Sequence, residues 1–271
     1  MSSQRPARPT TQLEVVGKEW LTPHMLRLFV GGEGFAAFND NGFADAYVKI
    51  LFRPDGEPYA ERIDNAAMRA ELPSEQWPKT RTYTVARREP EAQRIAIDFV
   101  IHGDEGIAAP WAVAAEIGDL IQFTGPGGAW NPVEDAAFHL FVGDESSVPA
   151  IAAGLAKLSG DAVGAVILEA DEHTLDVPAP EGVTVEWIVR GDAAYDPGML
   201  AQKVRELDLP AGPDGGIAVF AHGEREAMKE LRRVFRELDI PRERLSISGY
   251  WAYGRIEDQF QAEKRTEIGK V

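Results

Sequence analysis

The sequence predicts a two-domain protein, in which an N-terminal antiparallel β-barrel precedes a C-terminal doubly wound α/β domain. Short strands separated by turn residues fill the first half of the chain, a pattern typical of a barrel or a sandwich. Apolar strands alternate with helical segments in the second half, which indicates a parallel sheet covered by helices. The pattern changes near residue 133 and predicts domains of residues 1–132 and 133–271.

The barrel strands are predicted from alternating apolar residues and from the turns between them. Residues 13–30 read as two strands broken at "TPH", and the polar residues 1–12 are expected to be disordered. Further strands are expected at residues 46–52, 81–87, 94–102 and 120–126.

The second half alternates regularly between strands and helices. Its strands are expected at residues 136–146, 162–170, 182–191, 215–223 and 244–251. Helices are expected at residues 148–160, 198–207 and 224–240. An aromatic and helical C-terminal segment follows the last strand, and no internal repeat is found.

Charge and composition exclude several classes of function. The chain has 44 acidic and 28 basic residues and a formal net charge of −16, which disfavours nucleic acid and anionic membranes as partners. It has no cysteine, so disulfides, thiolate zinc sites and cysteine-bound iron–sulfur clusters are excluded. The five histidines show no metal-ligand spacing, and we predict no metal site and assign no catalytic side chain.

Hydropathy predicts a soluble, cytoplasmic protein without stable membrane association. The N-terminal residues lack the apolar stretch of a secretory signal. No window reaches the ~18 uninterrupted apolar residues that a membrane helix needs.

The stretch "RTYTVAR" places an arginine and a phenol on one strand face. Because strand side chains alternate, Arg81, Tyr83 and Val85 are expected on one face, and Thr82 and Thr84 on the other. An arginine paired with an acid and an ordinary strand tyrosine would explain this face without any ligand.

A turn of small residues follows the next strand. In "EGIAAPWA", Gly106, Ala108 and Ala109 allow the backbone at a helix start to approach an anion closely. Together with Arg81, this turn has the chemistry to hold a diphosphate.

Two further segments are candidates for ligand contact. "VGDESS" follows the first strand of the α/β half, where open sheets bind nucleotides, although it lacks the G-x-G-x-x-G fingerprint and an ordinary strand–helix turn remains an alternative. In "GYWAYGR", Tyr250, Trp251 and Tyr253 suit either a planar ligand or a tail packed on the core.

Taken in order, the motifs resemble the siderophore-interacting protein family. The motifs are "RTYT", "DFVIHGDEGIAAPWA", "GDLIQFTGPGGAW", "GDESSVPAIAA" and "GYWAYGRIEDQFQAEK". The family comprises FAD-dependent ferric-siderophore reductases, a branch of the ferredoxin-reductase-like flavoproteins. The resemblance implies FAD as cofactor, NADPH or NADH as electron donor, and a ferric siderophore as substrate.

The resemblance also assigns roles to residues. It implies that Arg81 binds the FAD phosphate, Tyr83 packs on the isoalloxazine and Thr84 hydrogen-bonds near the flavin N5. The other implied cofactor contacts are His102, Gly103, Ala108, Ala109, Trp111, Gly143, Asp144, Glu145, Ser146 and Trp251. Lys49 and Arg255 match basic positions that are expected to contact the anionic substrate.

The chain departs from the family pattern where relatives often carry basic residues, at Ala252 and Tyr253. A general NAD(P)H-flavin or ferric-chelate reductase therefore remains an alternative, as does a non-catalytic siderophore- or flavin-binding protein. The choice among NADH, NADPH and a ferredoxin as donor stays open, with Arg190 as a candidate for binding a 2′-phosphate. The oligomeric state also stays open, with a monomer among the options.

Overall fold

A computed structural model describes residues 9–102, 106–210, 216–264 and 266–271. The chain divides into two compact units, Met1–Ala129 and Trp130–Val271. The sequence-based boundary after residue 132 stays a prediction. In the described residues, no helix is both long enough and apolar enough to cross a membrane.

The first unit contains a closed barrel of six antiparallel strands, in the order β1-β2-β5-β4-β3-β6. This confirms the predicted barrel and excludes the sandwich. Its strands are β1 (Thr10–Thr22), β2 (Met25–Gly31), β3 (Tyr47–Phe52), β4 (Lys79–Glu89), β5 (Arg94–Val100) and β6 (Leu120–Gly127).

The start of β1 corrects one expectation. Disorder was expected through residue 12, but Thr10 and Thr11 are buried and pair with Thr124 and Phe123 of β6. Closing the barrel requires a neighbour for β6, and these residues supply it. Residues 1–8, for which disorder was also expected, lie outside the described residues.

Two short helices accompany the barrel strands: α1 (Asn65–Glu71) and α2 (Ala108–Ala114). The sequence analysis did not predict α1. Its start is capped by Asp64, whose carboxylate accepts from the backbone N–H groups of Ala66 at 2.9 Å and Ala67 at 3.0 Å. Such a cap satisfies N–H groups that have no partner inside the helix.

The second unit is a five-stranded parallel sheet in the order β11-β10-β7-β8-β9, with helices between the strands. This confirms the doubly wound prediction. Its strands are β7 (Phe138–Asp144), β8 (Gly164–Ala170), β9 (Val183–Val189), β10 (Ile217–Glu224) and β11 (Leu245–Trp251). Its helices are α3 (Val148–Leu155), α4 (Met199–Arg205), α5 (Arg225–Glu237) and α6 (Glu257–Glu263).

A buried ion pair joins two barrel strands. Arg27 of β2 lies directly opposite Asp98 of β5. Its Nε and Nη2 donate to the two carboxylate oxygens at 2.6 and 2.7 Å. Both residues are buried, so removing either one leaves the other charge without a partner in a medium that solvates it poorly.

We expect Asp98→Asn to lower the free energy of unfolding by about 3 kcal/mol, because it leaves the Arg27 guanidinium buried and unpaired. The matched control is Asp55→Asn, since Asp55 pairs with Arg53 while both side chains are 50% exposed. That change should stay below about 1 kcal/mol. Urea unfolding of both variants measures the difference, and equal effects would contradict the expectation.

Candidate functional site

The inward-facing positions of β4 carry the first candidate residues. Arg81 lies opposite Ile50 of β3, and Tyr83 lies opposite Val48. Both β3 residues belong to the barrel core, and side chains paired directly across antiparallel strands share one face of the sheet. Arg81 and Tyr83 therefore face the inner side of the barrel wall together, as the alternation predicted.

Lys49 and Thr84 lie on the other face of this wall. Lys49 is exposed and pairs with the exposed Thr82, whereas Thr84 is buried and pairs with Tyr47. The structure thus separates Lys49, the expected substrate contact, from Arg81, the expected cofactor contact.

A row of aromatic rings connects β4 with α2. The ring of Tyr83 lies 4.4 Å from that of Phe99, which lies 6.0 Å from that of Trp111. Trp111 in turn lies 5.8 Å from Phe52. The sequence analysis missed Phe99, whose only signal was its place in an apolar strand. This ring brings together two residues predicted for one site, Tyr83 and Trp111.

In the described part of the turn before α2, the space beside Gly106 is open. Gly106 has a φ of +89°, and a Cβ built there would meet no described atom within 4 Å. The helix starts after Ile107 without a side-chain cap, and its first side chains are the small Ala108 and Ala109. Small residues at an uncapped helix start fit the approach of a phosphate to backbone N–H groups, so the residues present fit the FAD that the sequence resemblance implies.

The remaining predicted barrel residues lie at the end of β5. His102 is exposed, two residues beyond the end of the strand. Gly103 lies outside the described residues.

In the second unit, the ends of β7 and β10 approach each other closely. A Cβ on Gly143 would overlap Ser147 Oγ and the carbonyl oxygen of His222. A Cβ on Gly223 would come within 2.5 Å of an Asp144 carboxylate oxygen. The connections from these two neighbouring strands run to opposite sides of the sheet, so this is the switch point where such sheets bind ligands.

Asp144 links three strand ends at this point. One carboxylate oxygen accepts from the Glu224 N–H at 2.7 Å and from the Trp251 indole at 2.9 Å. The other accepts from the Ser146 N–H at 2.9 Å and its hydroxyl at 2.5 Å. Burial raises the pKa of Asp144, and the donors from Ser146, Trp251 and Glu224 oppose that rise. Three predicted residues, Asp144, Ser146 and Trp251, are thus in direct contact.

Glu145 is also engaged within the chain, because its carboxylate accepts from the Asp171 N–H at 3.3 Å. Helix α3 begins directly afterwards, and its N-cap Ser147 makes no side-chain cap hydrogen bond. The α3 start is therefore not capped by a side chain of its own, unlike the start of α5.

At α5, the buried Glu224 occupies the helix start. Its carboxylate accepts from the N–H groups of Glu226 at 2.6 Å, Ala227 at 2.9 Å and Tyr253 at 3.0 Å, and from the Tyr195 hydroxyl. Burial and the Glu224 carboxylate raise the pKa of Tyr195 above its ordinary value, so this phenol stays protonated. The sequence analysis missed both residues of this pair, because they lie 29 positions apart.

Arg190 directly follows β9 and is held by two carboxylates from the end of β8. Its Nη1 lies 3.0 Å from Glu169 Oε1, and its Nη2 pairs with Asp171. Burial raises the pKa of Glu169 to about 6, and Arg190 opposes the rise. A 2′-phosphate contact from Arg190, which the sequence left open, would have to compete with both carboxylates.

The C-terminal segment folds onto the same edge of the sheet. The ring of Tyr253 stacks on that of Tyr195 at 4.6 Å, whereas Ala252 is buried. Arg255 is exposed, and its Nε donates to Glu263 at 2.8 Å. Its guanidinium is therefore partly neutralised by an acid of α6.

His222 is held by two hydrogen bonds to side chains of β11. Its ring nitrogens lie 2.9 Å from the Tyr250 hydroxyl and 2.9 Å from Ser246 Oγ. Burial lowers the pKa of His222 to about 3, which keeps the imidazole neutral.

Family models match both units in order. The model described as the siderophore-interacting FAD-binding domain matches residues 14–130, and the siderophore-interacting protein model matches residues 136–254. A closed antiparallel barrel followed by a parallel α/β sheet is the ferredoxin-reductase-like architecture. The chain belongs to the siderophore-interacting protein family.

Several known proteins are similar along nearly their whole length. An uncharacterized protein of Mycobacterium tuberculosis is 38% identical, covering 95% of each chain. The ferric vibriobactin reductase of Vibrio cholerae is 31% identical, covering 93% of each. An NADPH-dependent ferric-chelate reductase of Escherichia coli is 30% identical, covering 89% of this chain and 92% of its own.

Among solved structures, the siderophore-interacting protein SipS from Aeromonas hydrophila matches with a TM-score of 0.78 at 27% identity. The match covers 96% of this chain and 98% of that one.

The raised pKa of Glu169 predicts a pH-dependent stability. Because folded Glu169 holds its proton more tightly than the unfolded residue, with an ordinary pKa of 4.5, the folded state loses about 1.3 kcal/mol as pH rises from 4.5 to about 6. The free energy of unfolding of the unmodified protein, minus that of Glu169→Gln, should fall by that amount between pH 4.5 and about 6.

Urea unfolding at the two ends of the window measures this difference. Glu181→Gln serves as the control, because it replaces an exposed carboxylate of the same unit. If the unfolding free energies of the unmodified protein and Glu169→Gln differ by the same amount at both pH values, the pKa of Glu169 is not raised.

Proposed function

We propose that the protein is an FAD-dependent reductase that uses NAD(P)H to reduce ferric siderophore iron and releases ferrous iron in the cytoplasm. One observation carries the proposal: β4 presents Arg81 and Tyr83 on one face, and Phe99 connects this face with Trp111 of α2. An arginine, an aromatic ring and a small-residue turn are what a flavin dinucleotide needs. The family membership, and relatives named as ferric reductases, support the same function.

In this proposal, the barrel residues bind and orient the cofactor. Arg81 neutralises the FAD phosphate, because a guanidinium binds phosphate oxygens in a bidentate manner. Tyr83, held by Phe99, supports the isoalloxazine. Thr84, whose side chain lies on the other face of the wall, would hydrogen-bond near the flavin N5 through its backbone. His102 and Gly103 line the next part of the FAD site. Ala108 and Ala109 contact the diphosphate, and Trp111 keeps this turn against the barrel.

Bound FAD would supply the conversion between a two-electron hydride donor and one-electron acceptors. In this proposal the chain itself needs no catalytic acid or base, so no side chain is given that role.

The second unit is proposed to position the nicotinamide nucleotide. Its diphosphate would lie at the start of α3, beside Gly143 and Ser146, because the start of α5 is capped by Glu224. Asp144 and Glu145 accept hydrogen bonds from the chain's own groups, which lessens their repulsion of the phosphates. Trp251, held by Asp144, presents its ring at this edge.

Iron is the substrate in this scheme and needs no ligand from the protein. Hard oxygen donors bind ferric iron more tightly than ferrous iron, so reduction weakens the siderophore complex and lets iron leave. Lys49 and Arg255 are proposed to attract the anionic complex to a chain whose net charge is −16.

A second candidate is a general flavin or ferric-chelate reductase. The segment in which relatives often carry basic residues favours this candidate, because Ala252 and Tyr253 supply no cation there. Ala252 is buried, and Tyr253 stacks on Tyr195. A non-catalytic siderophore- or flavin-binding protein is the third option, and a ferredoxin is the alternative electron donor.

One experiment separates these candidates. The visible spectrum of the purified protein is first recorded with FAD. NADH or NADPH is then added in the absence of oxygen. Finally, ferric siderophores, ferric citrate and free flavin are each added as electron acceptors. We expect the protein to bind FAD and NADH or NADPH to bleach the flavin absorbance. A ferric siderophore should then reoxidise the reduced flavin faster than the other acceptors do. Fastest turnover with ferric citrate or free flavin supports the second candidate, and no flavin uptake contradicts both enzymes.

Arg81→Ala should weaken FAD binding by about 10- to 100-fold, because it removes a charge-assisted phosphate contact worth about 1.5–3 kcal/mol. Arg87→Ala is the control, since Arg87 is an exposed arginine of the same strand. Fluorescence titration with FAD measures the affinity, and circular dichroism checks the fold. Unchanged affinity in Arg81→Ala would refute the assignment.

Lys49→Gln should raise the KM for an anionic ferric siderophore by about 2- to 5-fold, as expected for one exposed charge contact. The effect should shrink at high salt and leave FAD affinity unchanged, because Lys49 faces away from Arg81. The control is Lys270→Gln, which removes an exposed lysine of the second unit. Equal KM changes in both variants would argue against a substrate contact at Lys49.

A further inference from the structure

The end of β8 is the place where the structure bears on the choice of nucleotide. In doubly wound sheets, an acidic residue beyond the second strand binds the ribose 2′-hydroxyl of NADH, whereas an arginine accommodates the 2′-phosphate of NADPH. Here β8 is the strand next to β7 and follows it in the chain. Both types of residue are present there, because Asp171 directly follows β8 and Arg190 directly follows the neighbouring β9.

The contacts decide which of the two faces a ligand. Arg190 lies between Glu169 and Asp171, and its side chain is only 14% exposed. The Asp171 side chain is 43% exposed. Glu145 adds a third carboxylate, bonded to the Asp171 N–H. The accessible group at this edge is therefore a carboxylate, with the guanidinium behind it.

We propose that this chain binds NADH in preference to NADPH and that Asp171 is the specificity-determining residue. The inference rests on the proposed function, which supplies a nicotinamide nucleotide at this edge. A ribose 2′-hydroxyl donates a hydrogen bond to the Asp171 carboxylate. A 2′-phosphate carries a charge of about −1.5 to −2. It would be repelled at an edge with three carboxylates and one guanidinium, which already pairs with two of them.

Equilibrium binding tests the preference without turnover. Calorimetric titration of the FAD-loaded protein with NAD⁺ and with NADP⁺ should show NAD⁺ binding about 10-fold or more tightly. Asp171→Asn should weaken NAD⁺ binding and strengthen NADP⁺ binding, because it removes an acceptor charge and releases Arg190 from one of its two partners.

The matched control is Asp161→Asn, which removes the same charge from an exposed residue before β8, at its opposite end. This variant should keep the preference of the unmodified protein. The double variant Asp171→Asn/Arg190→Ala should lose the gain in NADP⁺ affinity, since that gain depends on the released guanidinium.

The outcomes separate this inference from the proposed function. If NADP⁺ binds as tightly as NAD⁺, or if Asp171→Asn behaves like Asp161→Asn, the inference is wrong while a nicotinamide-dependent reductase survives. If neither nucleotide binds and neither NADH nor NADPH bleaches the flavin, both the proposed donor and the inference are overturned. Circular dichroism of each variant shows that a changed preference comes from a folded protein.

Discussion

The carboxylate of Asp144 is the interaction on which the edge of the α/β sheet depends. Its four donors come from the turn after β7, from the start of α5 and from the end of β11. The glycines at 143 and 223 permit this arrangement, because any Cβ there would overlap the atoms that it joins. The residues proposed to meet the nucleotide are thus fixed by one partly buried acid, and an uncompensated charge would remain if its donors were lost.

A strongly acidic chain that is proposed to bind two kinds of anion must keep its own carboxylates away from them. The second unit does so by using acids as internal acceptors: Glu224 caps a helix, Glu145 accepts from a backbone N–H, and Glu169 pairs with Arg190. A carboxylate that accepts such bonds is directed toward the chain. Local geometry therefore matters more for anion binding here than the net charge of −16.

In the barrel, one strand holds a polar residue beside an apolar core. Arg81 and Tyr83 share the face of Val85, which is fully buried, so one strand passes from core to candidate site within five residues. The ring of Phe99 extends this surface to α2. The candidate flavin site is consequently built on strand and core residues, and rigid elements of this kind orient a ligand better than loops.

The sequence by itself determined the two fold classes, the shared face of Arg81 and Tyr83, and the family. Each of these follows from a local period or from motifs in order along the chain. The pairing of Arg190 with Glu169 and Asp171, and the bonds of Asp144 to Glu224 and Trp251, were decided only by the tertiary structure. These contacts join residues that are 19 to 107 positions apart. No local pattern encodes them, because they form only when parallel strands bring their carboxyl ends to one edge.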